Sequence, residues 1–98
     1  MEIKTNRIEE ELTIGIIGRL DTTTAPELES TLASSLDGVK KLVLDFGGLD
    51  YISSAGLRVL LAAQKTMNKQ GEMIVKDPNE DVKEVFDITG FCDILTIE

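Results

Sequence analysis

The 98-residue sequence contains no histidine and no tryptophan, and it has a single cysteine, Cys92. Without histidine the chain cannot build a Ser-His-Asp triad, a zinc site with imidazole ligands, or an imidazole base. A lone cysteine excludes an internal disulfide, which favours a reducing compartment. Cys92, next to Phe91, is interpreted as a small core residue, because no base or cation is indicated nearby. Neither a catalytic residue nor a metal site is expected.

Long apolar runs and clustered positive charge are also missing. No stretch approaches the roughly 20 apolar residues of a membrane span, and the N-terminus lacks the apolar core of a signal peptide. The formal net charge is −8 and the ten Lys and Arg residues are scattered, which argues against nucleic acid or an anionic membrane as partner. We expect a cytoplasmic protein without membrane insertion, and a basic or mixed protein surface as its target.

The composition that remains, 42% hydrophobic and 29% charged, is typical of a globular protein, and residues 1–98 are expected to form one domain. Apolar patterns predict strands at 3–8, 12–17, 41–46, 73–76 and 94–97. Helical spacing predicts helices over about 24–36, 54–69 and 78–89. This order predicts an α/β fold with a mostly parallel β-sheet, an antiparallel N-terminal hairpin, and helices mainly on one face.

Local signals predict where two of the helices begin. Thr24 and Glu27 have the spacing of a capping box for the first helix, with a proline in its first turn. Asp77 followed by Pro78 has the same form and predicts the N-cap of the third helix. Both helix starts would then follow a strand end directly.

The most distinctive stretch joins the third strand to the second helix. Gly47-Gly48 predicts the end of the strand, and Ser53-Ser54 predicts the start of the helix. Such a turn directs free backbone N–H groups and the positive end of a helix dipole toward one point, which suits a phosphate carried on a serine. The alternative is that one serine is only an N-cap. Arg58, four residues after Ser54, either reaches the same phosphate or is simply solvated.

A second polar loop follows the second strand, where Asp21 precedes a run of three threonines, Thr22 to Thr24. Ordinary turn chemistry is one explanation, because Asp favours such loops. If the second and third strands are adjacent, however, this loop lies on the same rim of the sheet as Ser54, where sites on parallel sheets form. The two loops would then make one polar patch.

Four stretches together resemble the STAS domain: Gly18–Asp21, Leu42–Asp45, Tyr51–Leu57 and Phe86–Phe91. More narrowly, the chain resembles bacterial anti-sigma factor antagonists built from a lone STAS domain. In that family the phosphoacceptor is a Ser or Thr at the start of the central helix, typically within Asp-Ser-x-Gly-Leu. The resemblance implies that Ser54 is the acceptor, and Ser53 stands where the family has its Asp.

The resemblance also implies a partner switch. The unphosphorylated domain would bind an anti-sigma factor that is also a serine kinase, and a sigma factor would be released. Phosphorylation of Ser54 would end that complex, and a PP2C-like serine phosphatase would reset it. The protein itself would be no enzyme and would need no cofactor. Its partner-binding rim would comprise Asp21, Thr22, Thr23, Ser53, Gly56 and Arg58.

Two other functions remain open at this stage. The serine at position 53 motivates a STAS scaffold subunit without a switch, in a lipid-transport or stress-signalling assembly. A small histidine-free enzyme that binds a nucleotide at the same rim is the third class. Binding that is indifferent to Ser54→Asp would favour the scaffold, and measured nucleotide affinity would favour the enzyme.

Overall fold

The computed structural model describes residues 1–98, and its strands and helices follow one another in the predicted order. The strands are β1 (Glu2–Ile8), β2 (Glu11–Leu20), β3 (Lys41–Ile52), β4 (Glu72–Lys76) and β5 (Thr96–Ile97). The helices are α1 (Ala25–Ser35), α2 (Ser54–Gln70) and α3 (Glu80–Thr89), and a 3₁₀ turn at Phe91–Asp93 precedes β5.

The five strands form one sheet in the order β1-β2-β3-β4-β5. The β1–β2 pair is antiparallel, and the β2–β3, β3–β4 and β4–β5 pairs are parallel. The predicted α/β fold, with its antiparallel N-terminal hairpin, is therefore confirmed. Because β2, β3 and β4 run in the same direction, their carboxyl ends meet at one edge of the sheet.

All three helices pack on the same face of the sheet, as predicted. Along β3, Leu42, Leu44 and Phe46 are fully buried, whereas the alternating Val43 and Asp45 are only half-buried. The buried strand residues form one cluster with the buried stripes of all three helices. The opposite face of the sheet has no helix over it, and we call it the open face.

The Gly47-Gly48 pair does not end β3, so that prediction is wrong. The strand runs on to Ile52, and two register shifts against β2 absorb the extra residues. Gly48 lies so close to Ile17 that a Cβ there would stand 3.0 Å from Cγ1 of the isoleucine. The glycines therefore allow a tight, irregular pairing with β2, and the strand delivers Tyr51 opposite Arg19.

The capping box predicted for α1 does not form, and the N-cap predicted for α3 is wrong. Thr24 occupies the N-cap position of α1 but makes no capping bond, because its hydroxyl donates to the Arg19 carbonyl and accepts from the Asp21 N–H. Helix α3 is capped by Asn79, whose Oδ1 accepts from the Val82 N–H at 2.8 Å. Pro78 thus precedes the helix instead of lying in its first turn.

Cys92 is exposed, which contradicts its interpretation as a core residue. In the 3₁₀ turn it is Phe91 that packs against the core. Local desolvation and the carboxylates of Asp93 and Asp87 raise the pKa of the Cys92 thiol. The thiol is therefore protonated at neutral pH and is a poor nucleophile.

The C-terminal end of α2 is hydrogen-bonded to the loop that precedes β3. The Gln70 side chain donates to the carbonyls of Leu36 and Val39, each at 2.7 Å. Gly71 follows in extended conformation, and any Cβ at this position would overlap the backbone of Lys40. This edge of the sheet, where the parallel strands begin, has no room for a further side chain at Gly71.

Candidate functional site

The structure places the two polar loops side by side at the carboxyl ends of β2 and β3. Leu20 pairs with Ile52, and the Ser53 N–H donates to the Leu20 carbonyl at 2.9 Å. Asp21 and Ser54 therefore follow neighbouring strand ends, as expected for adjacent strands. We call this edge the rim and define it by Asp21, Thr22, Thr23, Ser53, Ser54 and Arg58.

The two serines at the start of α2 have different environments. Ser53 is the N-cap: its backbone is extended and its side chain accepts from the Gly56 N–H over a long 3.5 Å. Ser54 is the first helical residue, and its side chain is exposed. Ser53 therefore performs the capping, which leaves the Ser54 hydroxyl available to another molecule.

Gly56 is buried, and it fixes the position of α2. A Cβ there would lie 2.8 Å from Cγ1 of Ile52 and 2.8 Å from Cγ of Leu20. Only glycine lets the first turn of α2 rest directly on the ends of β2 and β3. Although the sequence assigned Gly56 to the partner-binding rim, its buried position means that it acts by positioning Ser53 and Ser54.

The carboxylate of Asp21 is held by the loop that follows it. Its Oδ1 accepts from the Thr23 hydroxyl at 2.8 Å and from the Thr23 and Thr24 N–H groups at 3.0 and 3.2 Å. These bonds, led by the Thr23 hydroxyl, hold the pKa of Asp21 below its ordinary value. Turn chemistry is thus present, and it keeps a fixed negative charge on the rim.

Thr22 and Arg58 lie on the part of the rim that faces the helices. Both are exposed, and both line a shallow groove between α1 and α2 together with Pro26, Glu29 and Ala55. Arg58 lies one turn along α2 from Ser54, on the same side of the helix. The helical side of the rim therefore carries one free cation.

Sequence reasoning missed the pair formed by Arg19 and Tyr51. The guanidinium carbon of Arg19 lies 4.2 Å from the centroid of the Tyr51 ring, and its Nε lies 3.8 Å from Oδ2 of Asp21. The two residues are neighbours only because the register shifts set Arg19 opposite Tyr51. No sequence signal marks those shifts except the four glycines at positions 15, 18, 47 and 48.

The groups on this rim can accept a transferred group and bind a surface. No cluster of three or more His, Cys, Asp and Glu side chains could hold a metal ion. The helix start at Ser54 suits a phosphate, because the first N–H groups of a helix lack partners and its dipole favours negative charge. The rim offers an acceptor hydroxyl, a fixed carboxylate and the exposed cation of Arg58.

Comparison with known proteins agrees with this fold. The sequence model of the STAS domain matches residues 2–98, and the chain belongs to the STAS domain family. Within that family it groups by sequence and fold with the anti-sigma factor antagonists. BtrV of Bordetella bronchiseptica, named as a candidate anti-sigma factor antagonist, is 39% identical over 99 residues, which cover 99% of this chain and 85% of BtrV.

Solved structures confirm the fold at lower sequence identity. An anti-sigma factor antagonist from Mycobacterium paratuberculosis has a TM-score of 0.88 at 22% identity, covering 98% of this chain and 83% of that one. The anti-sigma factor antagonist SpoIIAA of Bacillus, solved unphosphorylated and phosphorylated, gives TM-scores of 0.78 and 0.77 at 16% and 17% identity. The matches cover 99% of this chain, and 87% and 91% of the SpoIIAA chains. No helix here combines the length and apolar character needed to cross a bilayer.

Proposed function

We propose that this protein is an anti-sigma factor antagonist that is switched by phosphorylation of Ser54. In its unphosphorylated form it binds, through the rim, an anti-sigma factor that is also a serine kinase, and a sigma factor is freed in the cytoplasm. The observation that carries this proposal is the exposed Ser54 at the first position of α2, next to a serine that already caps the helix. SpoIIAA, which shares the fold, exists in a phosphorylated form.

The physics of the rim is compatible with such a switch. A phosphate adds about −1.5 to −2 charges and three strong acceptor oxygens, and at a helix N-terminus these charges are tolerated. The fold therefore has no reason to change when Ser54 is modified. A partner surface that packs against the unmodified serine would instead have to desolvate the phosphate and would be repelled by its charge. Phosphorylation then ends the complex without unfolding either protein.

The chemical step belongs to the partner. The Oγ of Ser54 attacks the γ-phosphorus of ATP, a new O–P bond forms as ADP leaves, and the hydroxyl proton passes to a base of the kinase. This chain supplies only the acceptor, because it has no histidine to act as a base near neutral pH. A PP2C-like serine phosphatase would hydrolyse the phosphoserine and restore the binding form.

The experiment that tests this function uses the anti-sigma factor kinase encoded in the same genome, purified and mixed with this protein and ATP. Mass spectrometry should find one added phosphate on wild type and on Ser53→Ala, and none on Ser54→Ala. The Ser53→Ala variant is the matched control, because it removes the neighbouring hydroxyl and keeps the acceptor. Full modification of Ser54→Ala would refute the assignment.

Ser53 supports one other function, a STAS scaffold subunit that does not switch. Where the family has an Asp, this chain has a serine that accepts the Gly56 N–H, so capping is kept but the carboxylate is lost. If a carboxylate is needed for efficient phosphorylation, Ser53→Asp should accelerate modification of Ser54. A protein that binds its partner equally well as wild type and as Ser54→Asp would be a scaffold.

A further inference from the structure

Arg19 and Tyr51 form an exposed pair at the carboxyl end of the open face. Tyr51 is 40% exposed and the Arg19 side chain is 62% exposed, although the guanidinium carbon of Arg19 lies 4.2 Å from the centroid of the Tyr51 ring. Their neighbours along the strands, Leu20 and Ile52, are buried toward the helices, so the pair lies on the opposite side of the sheet. This pair is separate from the groove that Thr22 and Arg58 line.

The stability of the fold does not account for this arrangement. The Arg19 side chain remains largely in water and Tyr51 is partly exposed, and a cation–π contact at such an exposed site contributes only about 0.5–1 kcal/mol. Tyr and Arg are, however, the residue types that most often dominate the binding energy of protein interfaces. Stacking holds the Arg19 guanidinium in one orientation before a partner arrives, which lowers the entropy lost on binding.

The surroundings of the pair extend the rim without a break. Oδ2 of Asp21, a rim residue, lies 3.8 Å from Nε of Arg19, so the Arg19–Tyr51 pair is adjacent to the rim. Ile17, 40% exposed, lies two residues before Arg19 on the same side, and the exposed Gly47 and Gly48 carry no side chains that could cover it. Aromatic, aliphatic and cationic surface thus lie together beside Ser53 and Ser54.

We infer that Arg19 and Tyr51 form a second half of the partner interface, which receives an acidic side chain of the anti-sigma factor beside an apolar one. The guanidinium has one face on the Tyr51 ring and its Nε toward Asp21, and its terminal N–H groups are free to bind a carboxylate with two bonds. The free face of Tyr51 and the side chain of Ile17 take the apolar neighbour. On a chain of net charge −8, this local cation sets the register of docking.

This interface rests on the proposed function, because its partner is the same anti-sigma factor. The test is calorimetric titration of that purified kinase into wild type, Arg19→Ala, Tyr51→Ala, the pair of substitutions together, Tyr51→Phe and Lys40→Ala. Lys40 is an exposed cation at the opposite edge of the sheet, and it controls for loss of one positive charge. Thermal unfolding of each variant would test whether the fold is kept.

We expect Arg19→Ala and Tyr51→Ala each to weaken Kd by about tenfold or more, as truncation of an interface anchor does. Tyr51→Phe keeps the ring and should bind within about threefold of wild type, as should Lys40→Ala. The double variant should lose less than the product of the two single losses, because either substitution already breaks the stack.

Wild-type affinity for both Arg19→Ala and Tyr51→Ala would overturn this interface. If Ser54→Asp still abolished binding in the same titrations, the phosphorylation switch would stand without it. A kinase that fails to bind the wild-type protein at all would overturn both.

Discussion

At Asp21 the two carboxylate oxygens have different surroundings. Oδ1 accepts from the backbone and hydroxyl of Thr23 and from the Thr24 N–H, whereas Oδ2 faces the guanidinium of Arg19. One side chain therefore organises the loop before α1 and orients a cation at the edge of the open face. The exposed rim residues on either side depend on this residue for their placement.

The hydrogen bonds to Asp21 should set the pKa of its carboxyl group. They favour the charged form in the folded state, so its pKa lies below the ordinary value, and Thr23→Ala should raise it by removing the largest cause. The stabilisation from Asp21 is present above the unfolded-state pKa and is lost as the pH falls through the folded-state pKa. Carboxyl-carbon NMR titrations of wild type, Thr23→Ala and Thr22→Ala would measure this. An unchanged Asp21 pKa in Thr23→Ala would contradict the assignment.

The strands and helices were largely predictable from the sequence, and their ends were not. Alternation and helical spacing indicate the right order, because burying one face of each strand and one stripe of each helix sets these periods. The continuation of β3 past Gly47 depends on two register shifts against β2, which are tertiary events. The hydrogen bonds at two helix starts were missed for a similar reason, since Thr24 bonds to the end of β2 and Asn79 bonds to β3.

The nearness of Asp21 and Ser54 was predictable, because parallel neighbours end at the same edge. The contact between Arg19 and Tyr51 was not, because it needs the shifted register. Periodicity reports which side of a strand faces the core. It does not report which residues of two strands stand opposite each other once the pairing becomes irregular.

Helix α2 supplies a prediction about packing. Gly56→Ala should lower the free energy of unfolding by about 1–2 kcal/mol, because overpacking at so short a contact costs about 2–3 kcal/mol and the helix propensity of Ala returns about 1 kcal/mol. The added methyl would press on Leu20 and Ile52, both buried. Urea unfolding would measure the change, with Ser54→Ala as the control at an exposed position of the same turn. Equal stability of Gly56→Ala and wild type would show that the contact can relax.

Helix α3 supplies a second prediction, about its cap. Asn79 accepts from the Val82 N–H and also donates its amide to the Leu49 carbonyl at 3.1 Å, so it ties the helix to β3. Asn79→Ala loses both bonds and should cost about 1–3 kcal/mol of unfolding free energy. Asn79→Asp keeps the cap but loses the donor, and its unfolding midpoint in urea should lie between the other two. If the Asp variant is as unstable as the Ala variant, the bond to β3 is the dominant one.

On the scale of the whole molecule, the helices and the sheet leave the rim at one end of the domain. Every helix packs on one face, and the sheet's other face is open from end to end. A partner that contacts Ser54 can therefore reach both the groove between α1 and α2 and the pair on the open face. The net charge of −8 adds a long-range preference for a partner with basic surface around its acidic anchor.

This architecture predicts that the proposed phosphorylation of Ser54 alters binding and not the fold. Phosphorylation of Ser54 should change the free energy of unfolding by no more than about 1 kcal/mol, with the sign favouring stability, because the charge lies at a helix N-terminus. Urea unfolding of the phosphorylated and unphosphorylated proteins would measure it. A loss of several kcal/mol, or loss of dispersed core NMR signals, would mean that the phosphate acts by unfolding.

The close approach of Gly71 to the backbone of Lys40 limits which residues can occupy position 71. At that edge of the sheet the backbone leaves room for hydrogen alone, so a library of variants should return only glycine at position 71. Thr22, Ser54 and Arg58 on the rim, and Arg19 and Tyr51 beside it, are all exposed, and each can be exchanged with little cost to packing. Substitutions at the rim edge can therefore change which partner the domain binds, while the sequence at the Gly71 edge stays fixed.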